Sequence, residues 1–153
     1  MENEMDLKKI RVLIVEPEKP PCLAEIESNL DVFQALVGGD IQFAELDRDA
    51  FIYCNAEGKL LGLQGNRRLD NGDIVVGTFI ICREDGTGVE ASLTDEQIDK
   101  YMQRFKEPEW FTFQEIKDVS HVSIKSFISR DDFINAIFED EAEEDDEMEL
   151  SEP

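Results

Sequence analysis

The sequence predicts an α+β fold: a mainly antiparallel or mixed sheet of four to five strands, two to three helices packed on it, and a disordered acidic C-terminal tail. Three observations lead there. Ile10–Val15 and Ile74–Cys82 are short apolar runs rich in β-branched residues, as buried strands require. The stretch from Thr94 to Phe105 combines a helix-start signal with a helical apolar period. The strands also follow one another too closely for a doubly wound parallel sheet, whose crossovers need about a dozen residues or more.

In chain order, Met1–Asp6 reads as a frayed end and Ile10–Val15 as a buried central strand, stopped by Glu16-Pro17 and Pro20-Pro21. Leu23, Ile26, Leu30, Phe33, Leu36 and Val37 recur at spacings of three and four, which predicts an amphipathic helix over Cys22–Val37 with Gly38-Gly39 as its stop. Ile41–Leu46 and Phe51–Cys54 read as strands joined by the polar turn Asp47-Arg48-Asp49. Asn55–Gly58 is a second turn, because Asn bonds its own backbone and Gly takes positive φ at low cost. Leu60–Leu69 holds Gly62 and Gly65 and is expected to be an ordered loop with a short strand or helical turn. Asn71-Gly72 is a turn, and Ile74–Cys82 the clearest strand, with Gly77 marking a bulge or a close backbone approach.

Glu84–Glu90, with two glycines, reads as a loop. Thr94 and Gln97 form a capping-box pattern for a helix running to about Phe105 and burying Ile98, Tyr101, Met102 and Phe105, with Pro108 beyond its end. A short helix is expected after Thr112, then an edge strand at Val122–Ile128 and a last helix at Asp132–Phe138. All of this is expected to form one domain, 1–138. Residues 139–153 are too charged and too poor in apolar residues to fold alone. All helices are expected on one face of the sheet.

Composition bounds the function. At 153 residues and 41% hydrophobic, with ten Phe, the chain can build a core without staples. It has no run near the roughly 18 apolar residues of a membrane helix, and the expected location is cytoplasmic. The formal net charge is −22. Residues 139–153 hold ten acidic and no basic residues, so the body alone carries 27 acidic against 15 basic residues. Such a surface repels duplex DNA and anionic membranes and favours a basic protein as partner.

Cys22, Cys54 and Cys82 are odd in number and lack a CxxC spacing, which speaks against a disulfide framework or a structural zinc site. Cys54 and Cys82 end apolar runs and read as buried, inert thiols. His121, the single histidine, has no sequence signature tying it to a nucleophile. With neither a metal cluster nor a cofactor motif, no enzyme activity, cofactor or catalytic residue is expected.

The chain resembles a known family, Domain of Unknown Function 3846. RVLIVEP at Arg11–Pro17, FQALVGGDI at Phe33–Ile41 and CNAEGKLLGL at Cys54–Leu63 carry the resemblance, with NRRL at Asn66–Leu69, VGTFIIC at Val76–Cys82 and SLTDEQIDKYMQRF at Ser92–Phe105. It runs from about residue 10 to about residue 105 and leaves 106–138 as an extension. It implies a bacterial mobile-element or phage setting and brings no activity. Gln64-Gly65 stands where members of the family tend to carry Pro-Leu, and Asp70–Val75 is shorter than usual.

Two places carry candidate chemistry. Asn55, Glu57, Lys59, Asn66 and Arg67 lie in the most distinctive stretch, where Arg offers planar two-point binding of a phosphate or carboxylate and glycines permit close approach. A nucleotide-type ligand is one expectation. The plainer one is that Arg67 ties the loop to the body by pairing with Asp70, Asp73 or Glu57, and no GxxxxGK[ST] or GxGxxG cradle is present. The second place is Trp110, Phe111 and Phe113, which either anchor a partner or cap the core. The first function expected is a non-enzymatic interaction protein that binds a basic protein and modulates host defence or element transfer. The alternative is the small-ligand binder.

Overall fold

The computed structural model describes residues 8–119. The chain divides into two compact units, Met1–Lys117 and Asp118–Pro153. The elements up to residue 104 belong to the first. The expected strand at 122–128, helix at 132–138, tail at 139–153 and His121 lie outside the described residues.

The fold is α+β, built on an antiparallel sheet. β1 (Lys9–Val15), β2 (Cys22–Glu27), β3 (Ile41–Asp47), β4 (Ala50–Asn55) and β7 (Phe79–Glu84) are arranged β2-β1-β7-β4-β3, with β8 (Glu90–Ala91) pairing the far end of β7. β5 (Gly65–Arg68) and β6 (Ile74–Val76) form a separate two-stranded ribbon. The helices are α1 (Leu30–Val37), α2 (Gly58–Leu61) and α3 (Asp95–Arg104), and 113–119 is also helical.

Val12–Val15 of β1 and Phe79–Cys82 of β7 are unbroken apolar runs because both sheet faces are covered there. Leu13, Val15, Ala50, Ile52, Phe79 and Ile81 point to one face and pack with Leu93, Ile98, Tyr101 and Phe105 of the α3 region and Leu69 and Val75 of the ribbon. Ile10, Val12, Phe51, Ile80 and Cys82 point to the other, where Phe33 and Val37 of α1 close the core. The helices therefore cover opposite faces, not one. A sheet whose central strands are apolar on both sides needs a cover on both.

The helix expected over Cys22–Val37 is two elements. Cys22–Glu27 is an edge strand pairing β1 from Ile14↔Cys22 to Lys9↔Glu27, and only Leu30–Val37 is helical. Pro20-Pro21 turns the chain back, and β1 has an open edge that a strand satisfies. Asn29 caps α1 by accepting from Val32 N, and Gly38 stops it at φ 85°. Ile74–Cys82, expected as one strand, breaks at Gly77 into β6 and β7. There φ is 72°, and an added Cβ would lie 2.7 Å from Leu63 Cδ1, so the close approach expected of Gly77 is present. In 60–69 both expected features occur, the short helix α2 and the strand β5.

α3 starts as predicted, with Thr94 Oγ1 accepting from Gln97 N and Gln97 Oε1 accepting from Thr94 N. It buries Ile98, Tyr101 and Phe105, whereas Met102, expected inside, is exposed.

Candidate functional site

The loop from Asn55 to Arg68 folds onto the body through its own polar groups. Asn55 closes the end of β4. Its Nδ2 donates to Val37 O at 3.2 Å, and its Oδ1 accepts from Glu57 N at 2.8 Å. It thereby satisfies a carbonyl at the end of α1 and fixes the turn into α2. Lys59 forms a half-buried ion pair with Asp73 at 2.5 Å across the base of the ribbon. Glu57 is exposed.

Asn66 and Arg67 form the centre. Both are fully buried. Asn66 Nδ2 donates to Val15 O at 2.9 Å and Gly77 O at 2.8 Å, which binds the end of β1 to the β6–β7 link. Arg67 Nε and Nη2 donate to Phe105 O at 3.1 and 2.7 Å, and Nη2 also donates to Lys19 O at 2.6 Å. Nη1 donates to Asn66 O at 3.3 Å and Asn66 Oδ1 at 2.7 Å. A guanidinium has five N–H donors, and these are five contacts. Arg67 ties three distant segments together: the β1–β2 loop, the ribbon and the end of α3. The expected internal tie is present, but its acceptors are carbonyls rather than Asp70, Asp73 or Glu57. Burial lowers the Arg67 pKa, opposed by the charge of Glu109, from a value high enough that arginine stays charged.

The ligand-binding expectation for Asn55, Asn66 and Arg67 meets a physical limit. All three are buried and bond to groups of the fold itself, Arg67 with five contacts and Asn66 Nδ2 with two. Glu57 and Lys59 keep access to solvent, but Lys59 is already paired.

The aromatic segment differs. Phe111 lies across β5: a Cβ added to Gly65 would come within 2.9 Å of its ring and 3.0 Å of Ile116. Arg68 stacks on the Phe111 ring, 5.5 Å from guanidinium to ring centre. Gly65, with no side chain, gives Phe111 room. Trp110 is 68% exposed and Phe113 72% exposed. Of the three aromatics, one is an internal anchor and two project outward. The helical segment after them is capped by Thr112, whose Oγ1 accepts from Glu115 N while Glu115 Oε1 accepts from Thr112 N.

Of the two thiols expected to be buried, Cys82 is buried and Cys54 only partly so. Burial pushes Cys54 up to about 11, with Asp73 adding to the rise, and pushes Cys82 higher still. Cys22 is exposed. Among the described residues no group of His, Cys, Asp and Glu is placed to hold a metal ion. No described helix is long and apolar enough to cross a membrane.

Comparison with protein families supplies the lineage. A family model, Domain of unknown function (DUF3846), matches residues 10–106. The chain belongs to this family. The match ends one residue past Phe105, whose carbonyl Arg67 holds. Phe111 lies beyond the matched residues and within the same compact unit. Neither the curated proteins nor the solved structures gave a match.

Sequence reasoning missed Leu60 and Leu61. They are 85% and 60% exposed on a four-residue helix. The signal was present: two adjacent leucines between Gly58 and Gly62 cannot both turn inward on so short an element.

Proposed function

We propose that this chain is a non-enzymatic interaction module of a mobile element or phage. It binds a basic protein and thereby modulates host defence or element transfer. The observation that carries this reading is the exposed pair Trp110 and Phe113, held out from the body while Phe111 anchors the segment. Large aromatics exposed beside a fixed anchor are the residue types that dominate binding energy at protein interfaces. The net charge of −22 selects a basic partner by long-range attraction. The mobile-element setting rests on the family resemblance.

The test is affinity capture of a basic partner with the full chain, followed by binding of that purified partner to wild type and to Trp110→Ala/Phe113→Ala. Binding that weakens with salt and in the double variant supports the reading. Salt-independent binding that ignores the aromatic substitutions rejects it.

A further inference from the structure

Trp110 and Phe113 are not the only apolar groups at their end of the fold. Gly58 in α2 packs on Val76, where an added Cβ would lie 2.8 Å from Val76 Cγ2. Val76 pairs with Gly65 across the ribbon, and Gly65 lies beneath Phe111. α2, β6, β5 and the aromatic segment are thus successive neighbours. Leu60 and Leu61 project from the first of them, Trp110 and Phe113 from the last. Leu61 and Gly65 are four residues apart, which limits their Cα separation to roughly 14 Å. Four exposed apolar side chains in one neighbourhood exceed the scattered single exposures that need no explanation.

The charges around them have a sign. Glu57 and Glu107 are exposed, Glu109 is half-buried, and Glu115 is exposed beside Thr112. Two of the nearby cations are engaged within the fold, Lys106 and Lys117 are exposed, and Glu109 Oε1 accepts from Arg68 N at 3.4 Å. Lys59 is paired with Asp73, and Arg68 stacks on Phe111 and donates to Gly72 O. A second copy of this chain is disfavoured as occupant, because two bodies of charge −22 repel.

We propose that Leu60, Leu61, Trp110 and Phe113 form a docking surface for a basic amphipathic helix of another protein. Its apolar side chains meet these four, and its Lys and Arg meet Glu57, Glu107 and Glu109. This rests on the function proposed above and names the partner's binding segment.

Trp110 is the single tryptophan, so its fluorescence reports the surface directly. The experiment titrates the full chain with a synthetic helix of Leu and Lys at helical spacing, following Trp110 emission and, in parallel, heat of binding. The expected result is a saturable blue shift that weakens with salt. In Leu60→Ser/Leu61→Ser, whose two sites are exposed and leave the core intact, affinity is expected to fall by about tenfold or more. A helix of Ser and Lys should bind weakly, with no blue shift. Binding detected as heat without a change in Trp110 emission, or equal binding by the leucine variant, overturns the docking surface and leaves the acidic-module reading standing. No binding of the Leu/Lys helix by either readout overturns the docking surface, and the salt-dependent partner test then decides the broader reading alone. A stable dimer in sedimentation, disrupted by Leu60→Ser/Leu61→Ser, also overturns it.

Discussion

Arg67 shows how one side chain can close a fold. Its guanidinium reaches carbonyls of Lys19 and Phe105, 48 and 38 residues away in sequence. Removing it leaves those carbonyls and Asn66 Oδ1 buried without their donors, and leaves a void. Arg67→Met is expected to cost about 3–5 kcal/mol of stability, and Arg67→Lys less, since an ammonium cannot reproduce the planar fork. Urea unfolding of both variants checks this, and a loss under about 1 kcal/mol in Arg67→Met would overturn the clasp. The thiols give a second residue-scale prediction. With Cys54 pushed up to about 11 and Cys82 higher, neither carries much thiolate at pH 8. A thiol reagent on the native protein at that pH should label Cys22 first, as peptide mapping would show.

At the scale of elements, the sequence was most readable where local signals were strong. Thr94 and Gln97 predicted the start of α3 to the residue, because a capping box satisfies its own donors locally. Thr94→Ala is expected to cost about 1 kcal/mol, measured by thermal unfolding. The period from Leu23 to Val37 misled, because strand β2 and helix α1 together happen to place apolar residues three and four apart. Only the open edge of β1 decides that the first half is a strand. Gly77 shows a second case. The sequence marked it as a bulge or a close approach within one strand, whereas the strand breaks there, with Leu63 lying against it. Gly77→Ala should cost about 2 kcal/mol, combining the left-handed backbone with displacement of Leu63. An unchanged urea midpoint would contradict that packing.

The whole molecule's stability is bounded in pH by groups that join α3 and β8 to the sheet. Burial pushes the Asp47 carboxyl up, but hydrogen bonds from Tyr101 and Lys100 and the charges of Lys100 and Arg104 outweigh it, and the net shift is downward from 3.8. A lowered folded pKa gives stability that is complete above the unfolded value of 3.8 and is lost as pH falls from there through the folded value. Tyr101 and Tyr53 are raised from 10.0, by burial first and then by Asp47 and Glu90 respectively. Their contribution is complete below pH 10 and lost as pH rises past it. Urea midpoints against pH should therefore form a plateau that falls below about pH 4 and above about pH 10. A net charge of −22 also repels itself, so the melting temperature should rise with added salt.

The sequence by itself determined the α+β class, the apolar central strands, the start of α3 and the family, because each depends on local pattern or on an ordered set of segments. It also marked Asn66, Arg67 and the aromatic cluster as unusual. Only the tertiary structure decided where they sit and what they touch. Whether an arginine faces a ligand or the interior depends on which carbonyls the fold brings to it, and here those come from Lys19 and Phe105. Whether an aromatic is core or surface depends on which face remains covered. Phe111 found Gly65, while Trp110 and Phe113 remain exposed, as do Leu60 and Leu61 on α2.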